Sequence, residues 1–220
     1  MTPQLLEAIL AHARAEAPRE CCGMLVHEGH QAVYHPCRNL GEGDTIDIHP
    51  EDQVAAEDAG ILLGIVHSHA IGTTAPGPLD QPGCDRSGLP WWIVTLDGQW
   101  NRITPKNWEP TGHAFVWGVQ DCYTLVSDWF GGLPGFLREP DFWRHSDLFG
   151  EGLASAGFHV VEGDPRPGDG LLFRVHGGHP DHCAVYAGEG RIIHQPTGRV
   201  GLEELMGRLV EKLAFVVRRA

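Results

Sequence analysis

Apolar residues recur at Leu5, Leu6, Ile9, Leu10 and Ala13, the three-and-four spacing of a single helical face. The first twenty residues therefore predict an amphipathic helix. A signal peptide would need a basic start and an unbroken apolar stretch. Gly23–Val26 and Gln31–Tyr34 flank the turn residues Glu28-Gly29 and predict two paired strands. A polar stretch from Asn39 to Asp44 leads to a short strand and then to a helix from Pro50 to Ala59. From Ile61 to Val66 nearly every position is apolar, the pattern of a buried strand, and the run ends in His67-Ser68-His69. A Gly/Pro/Thr loop from Ile71 to Pro82 follows, and Trp91–Leu96 predicts another buried strand.

The stretch 98–113 is polar, holds two prolines and has no sustained period, so it reads as a linker. The expected division is a first domain over 1–100, a linker over 101–113 and a second domain over 114–220. Past the linker a helix is expected from near Asp121 to about Phe130, then a loop-rich region to about Gly157. Strands follow at 171–175, 182–187, 190–194 and 214–218, with a helix at Leu202–Leu213. Both halves read as α+β.

Composition narrows the functions available. The 29 acidic residues against 16 basic ones give a net charge of −13, which argues against a nucleic-acid partner because phosphate recognition needs a basic face. No apolar run approaches the ~18 residues of a membrane span. The six cysteines lack the dense spacing of a disulfide framework and read as reduced, mostly buried thiols. An excess of histidine, 14 in all, points to metal or acid–base chemistry. Among them His35, His49 and His145 read as surface or turn residues, and His176 and His179 as a surface cluster.

Two constellations carry chemistry. His67 and His69, two apart at a strand end, share one face, so both imidazoles can reach one metal; Asp80 can add an oxygen ligand and leave a fourth position for water. In the second half, Cys122 stands where a helix should begin, with Asp121 as its N-cap. A helix N-terminus and a nearby imidazole both favour the thiolate that attacks carbonyls. His182 begins one strand and His194 ends the next. Across the Gly188-Glu189-Gly190 turn the two rings can lie side by side, His182 as base and His194 fixing its tautomer.

The runs PRECCG at 18–23, HSHA at 67–70 and DQPGCDRSGLPWWIV at 80–94 resemble the JAMM/MPN metalloproteases over roughly residues 1–100. That resemblance implies a cytidine-deaminase-like α/β/α sheet domain, zinc held by His67, His69 and Asp80, Glu20 taking a proton from water, and cleavage of amide or isopeptide bonds. Gly77 stands where the family has a serine that stabilises the tetrahedral intermediate, and Ala70 where proline is usual. Cys84 matches a thiol near the zinc loop that is not a ligand.

FVWGVQDCYTLVSDWF, RPGDGLLFRV and HPDHCAVYAGEGRIIHQ resemble the NlpC-type peptidases over about 114–220, a branch of the papain-like fold. This implies a Cys122–His182–His194 thiol peptidase acting on peptidoglycan peptides. Phe115 and Tyr123 depart from the family's usual tyrosine and serine. The two modules in this order resemble the tail-assembly proteins of lambda-like tailed phages. That likeness implies tail-tip partners, synthesis in the host cytoplasm, and action at the periplasm or cell wall from the virion tail tip. Two other roles stay open: a non-catalytic docking factor of the tail tip, and a maturation protease acting on a tail protein through the zinc site.

Overall fold

The structure, a computed structural model, describes residues 1–43, 45–139 and 141–220. Asp44, which closes the polar stretch after Asn39, lies outside the described residues. The chain divides into two units. The first is Met1–Trp108 with Val116–Val119 and Gly135–Leu137; the second is Glu109–Phe115, Gln120–Pro134 and Arg138–Ala220.

The first unit opens with α1 (Pro3–Glu16). Thr2 caps it by accepting from the Leu5 amide at 3.3 Å, and Pro3 occupies the first turn, where no amide proton is needed. Leu5, Leu6, Ile9 and Ala13, four of the five residues of the expected stripe, are buried. The remaining elements are β1 (Cys22–Glu28), β2 (Gln31–Cys37), α2 (Pro50–Ala59), β3 (Ile61–His69), α3 (Asp80–Ser87), β4 (Trp91–Thr95) and β5 (Trp100–Ile103). They form a five-stranded sheet in the order β2-β1-β3-β4-β5, with β3 and β4 parallel and the other neighbours antiparallel.

Each face of this sheet has its own core. Leu5, Leu6 and Ile9 pack with Leu25, Leu63, Val66, Trp92 and Val94 on one side. On the other, Ala56 of α2 joins Cys22, Met24 and Val26, while Cys84 of α3 joins Ile65 and Trp91. This is the expected α/β/α arrangement. A register shift between Leu25 and Val26 skips Leu63 in the β1–β3 pairing, so Leu63 and Val66 share one core although three residues apart. After the bulge, Ile65, His67 and His69 alternate toward the α3 side. Gly83 lets α3 come that close, because a Cβ there would meet the Trp91 ring at 2.5 Å.

Two readings of this unit change. The segment before α2 forms only an isolated bridge, Asn39 to Ile48, rather than a strand. The polar stretch 98–113 contributes β5 at its start: Trp100–Ile103 pairs with Trp91–Val94, and backbone pairing at the sheet edge overrides a sequence without an apolar period.

The second unit holds α4 (Cys122–Trp129), a short 3-10 turn at Phe142–Arg144, α5 (Leu148–Leu153), β6 (Phe158–Val161), β7 (Gly170–Phe173), β8 (His182–Gly188), β9 (Arg191–His194), β10 (Leu202–Leu205) and β11 (Leu213–Arg219). Its six-stranded sheet runs β10-β9-β8-β7-β11-β6, antiparallel throughout. Leu171, Phe173, Ala184, Ile192 and Val216 form a core on it, and α4 packs against β8 and β9. The helix expected at Leu202–Leu213 is not there. Leu202–Leu205 pairs with β9 instead, and after Met206 the chain enters a 3-10 segment at Gly207–Lys212, whose first residue, Gly207, has φ 54°. Asp169 of the Pro-Gly-Asp turn is structural: it accepts from the Arg166 amide at 2.8 Å and from Arg218 at 2.7 Å on both oxygens.

Candidate functional sites

In the first unit the strand end and the start of α3 converge. His67 Nε2 and His69 Nε2 lie 3.2 Å apart, His67 Nε2 lies 3.3 Å from Asp80 Oδ1, and His69 Nε2 lies 3.4 Å from Asp80 Oδ2. A tetrahedral zinc with bonds of about 2.0–2.1 Å has ligand–ligand edges of about 3.3–3.4 Å, so the three donors already sit at the spacing the ion demands. His69 Nδ1 lies 2.7 Å from the Thr73 carbonyl, which accepts its N–H and leaves Nε2 as a lone pair. Burial holds His67 in its neutral form, as a ligand must be. Burial alone would raise Asp80, but the His67 and His69 imidazoles beside it and the hydrogen bond from the Gly77 amide hold it well below the usual carboxylate range. These residues fit a divalent cation.

Around this point lies a cleft of about 680 Å³ lined by Glu20, Thr45, His69, Ala70, Ile71, Gly77, Leu79 and Asp80 among others. Glu20, nine-tenths buried, belongs to the segment before β1. That segment is tied to β3 by Ser68, which accepts from the Cys21 amide at 2.9 Å and donates its own amide to the Cys21 carbonyl at 3.1 Å. Asp80 was expected in a loop; it stands in the first turn of α3, where the helix dipole favours its charge. Gly77 gives its amide to Asp80 Oδ2 at 2.6 Å, so that amide is already committed. Cys84 is structural: its thiol points to the Leu89 carbonyl at 3.2 Å, and burial pushes it up to about 12.

In the second unit Asp121 caps α4, its Oδ1 accepting from the Thr124 amide at 3.0 Å and from the Thr124 hydroxyl at 3.1 Å. Cys122 is the first helical residue and is buried. A hydrogen bond from the neighbouring Cys183 thiol, and then the His182 imidazole, bring Cys122 down to about 5, overcoming the burial and the Asp121 charge that push the other way. On the sheet, Ala184 stands opposite His194, so His182 and His194 are a diagonal cross-strand pair on one face. Their rings meet with His182 Nε2 2.9 Å from His194 Nδ1. The structure thus brings Cys122, His182 and His194 together as the spacing implied.

Three participants escaped the sequence reading, and a fourth, Tyr123, was read only as a departure from the family. Arg138 donates to both oxygens of Asp121 beneath the nucleophile. Glu204 accepts from His194 Nε2 at 3.0 Å and is gripped by Arg199 at 2.8 and 3.1 Å. Cys183 lies beside Cys122 and stays protonated through burial. Tyr123, the departure next to the nucleophile, lies under the Arg138 guanidinium at 4.9 Å and stacks on Phe149. His176 pairs with Asp181 at 2.5 Å and stacks on Trp143, which closes the loop before His182. All six cysteines are free and buried.

Comparison with known proteins gives two family models. The model for prokaryotic homologs of the JAB domain matches residues 2–109, and the NlpC/P60 family model matches residues 112–219. Tail tip assembly protein K of Escherichia phage N15 is 34% identical over 212 residues, covering 91% of this chain and 87% of that protein. Tail tip assembly protein K of Escherichia phage lambda is 36% identical over 152 residues, covering 66% of this chain and 75% of that protein. Among solved structures, an NlpC/P60 family protein from Bacillus cereus is similar at 13% identity and a TM-score of 0.36, covering 96% of this chain and 66% of that one.

Proposed function

The chain belongs to the tail tip assembly protein K family, a JAB-type domain followed by an NlpC/P60 domain, and from that premise we propose that it is a tail-tip hydrolase that cuts peptides of the bacterial cell wall. The observation that carries this is the continuous contact from Cys122 through His182 to His194 at a helix N-terminus. The Cys122 thiolate attacks the scissile carbonyl carbon while the proton it has given up sits on His182. Collapse of the tetrahedral intermediate breaks the C–N bond, and His182 returns that proton to the leaving amine. Water then cleaves the thioester with His182 as base. Other tail-tip proteins are the partners this reading implies, and the periplasm is where it places the reaction.

The zinc module is the second part of the proposal. His67, His69 and Asp80 would hold zinc, which when bound would supply the Lewis acidity that activates water and polarises an amide carbonyl. Glu20, on the cleft wall, carries a proton between water and leaving group. Gly77 favours a module that binds metal well but hydrolyses slowly: it offers no side chain, and its amide is committed to Asp80.

The test is digestion of purified peptidoglycan with mass analysis of the released fragments. Wild type is expected to release muropeptides that Cys122→Ala does not. Equal release by both, or none by either with metal-replete protein, would reject the thiol reading.

A further inference from the structure

We propose that Glu204 is a positioning residue for the thiol reaction, fixing through His194 the tautomer in which His182 turns a bare Nδ1 toward Cys122. This rests on the thiol-peptidase reading and adds to it a residue that does not touch the nucleophile. Glu204 lies on β10, whose pairing with β9 sets Leu202 opposite His194 and Glu204 opposite Ile192. Its Oε1 is 3.0 Å from His194 Nε2, and Arg199 holds both of its oxygens, at 3.1 and 2.8 Å.

An ionised carboxylate can only accept, so His194 Nε2 must carry the hydrogen. His194 is buried and has one other nitrogen, Nδ1, which is then a lone pair. Nδ1 faces His182 Nε2 at 2.9 Å, so His182 Nε2 donates and His182 Nδ1 is left as the acceptor for the Cys122 proton. In the opposite tautomer His194 Nε2 would present a lone pair to a carboxylate, and His182 would offer Cys122 a hydrogen it could not exchange for another. When the Cys122 proton moves to His182 Nδ1, the imidazolium still donates from Nε2, and Glu204 stabilises it through a neutral His194 without itself taking a proton.

The charged and titratable groups that face this relay come from several elements. Cys122 meets Cys183 and His182 from β8 and has Asp121 beside it; His194 meets His182 from β8, Glu204 from β10 and Arg199 from the turn between β9 and β10. Removing the Glu204 charge therefore weakens the imidazolium and raises the pH at which the thiolate forms.

The experiment is alkylation of the full-length protein by iodoacetamide across pH, read at the Cys122 peptide by mass spectrometry. Wild type is expected to react well below pH 7. Glu204→Gln is expected to move the acid limb up by about one unit, so that reaction near the limb slows about tenfold, and Glu204→Asp to return most of it. A Glu204→Gln profile that overlays wild type at an unchanged melting temperature overturns the proposal. Should that variant melt early, Arg199→Gln decides: it keeps the carboxylate, strips its opposing charge and should move the limb down, and an unmoved limb overturns the proposal. Wild-type Cys122 that reacts only above pH 8 would defeat the thiol-peptidase reading itself, whatever Glu204 does.

Discussion

Arg138 donates to both carboxylate oxygens of Asp121, from Nε at 3.1 Å and from one terminal nitrogen at 2.8 and 3.0 Å, with both side chains buried. Asp121 has two tasks here: it caps the helix that begins with Cys122, and its charge must be balanced because it opposes the Cys122 thiolate. Arg138 supplies that balance and lies against the Tyr123 ring.

Removing one partner of a buried ion pair leaves the other charge uncompensated, a loss of about 3–5 kcal/mol. Arg138→Met is expected to lower the unfolding free energy by about that amount in urea titration. Arg138→Lys should recover only part, because a point charge cannot span both oxygens as the guanidinium fork does. An Arg138→Met protein as stable as wild type would show that the pair contributes nothing net.

The depressed pKa of Cys122 has its own consequence. A thiolate dominates above its pKa, so a value of about 5 means that reactivity persists through neutral pH and falls only as pH drops toward 5. The foremost cause is the hydrogen bond from Cys183. Cys183→Ala should therefore shift the acid limb of Cys122 alkylation to higher pH, and His182→Ala should move it in the same direction by removing the proton acceptor. An unmoved limb in Cys183→Ala would remove Cys183 from the account.

Much of this was legible in the sequence because it is local. The helix start at Asp121-Cys122, the strand ends at His67, His69, His182 and His194, and the α1 stripe all follow from neighbours within a few positions. What was not legible depends on pairing at a distance. Arg138 sits in a loop-rich stretch without a period, and only the fold brings its guanidinium to Asp121. Glu204 was hidden by a misread element: Leu202 and Leu205 have helical spacing, but the exposed edge of β9 captures them as a strand and turns Glu204 toward His194. Asp80 appeared as a loop residue because Pro82 and Gly83 disguise the start of α3, whose glycine is needed for close packing on Trp91.

The metal site predicts stoichiometry. Three donors already at tetrahedral spacing should bind zinc with little rearrangement, so the protein purified with zinc in the medium is expected to carry about one ion per chain. Asp80→Ala should lose most of it, and chelation should lower the melting temperature of wild type but not of that variant, since a ligand stabilises only the state that binds it. Elemental analysis and thermal melts check both. Wild-type protein free of zinc after such preparation would sink the metal assignment.

Gly77 allows the slow-hydrolysis reading to be tested by gain rather than loss. Among the described residues a Cβ built at Gly77 meets only Asp80, with Oδ2 at 3.4 Å and Cγ at 3.9 Å, an ordinary contact, and its backbone is outside the left-handed region. A serine therefore fits without strain and would place a hydroxyl beside the cleft that holds His69 and Glu20. One donor aimed at a developing oxyanion is worth about 10²–10³ in rate. Gly77→Ser, made in a Cys122→Ala background to silence the thiol site, is expected to raise zinc-dependent cleavage of a peptide library by a large part of that factor, read as new termini by mass spectrometry. Adding Glu20→Gln should abolish the gain, because the proton carrier is then missing. No gain at full zinc occupancy would mean that the missing hydroxyl is not what limits this site.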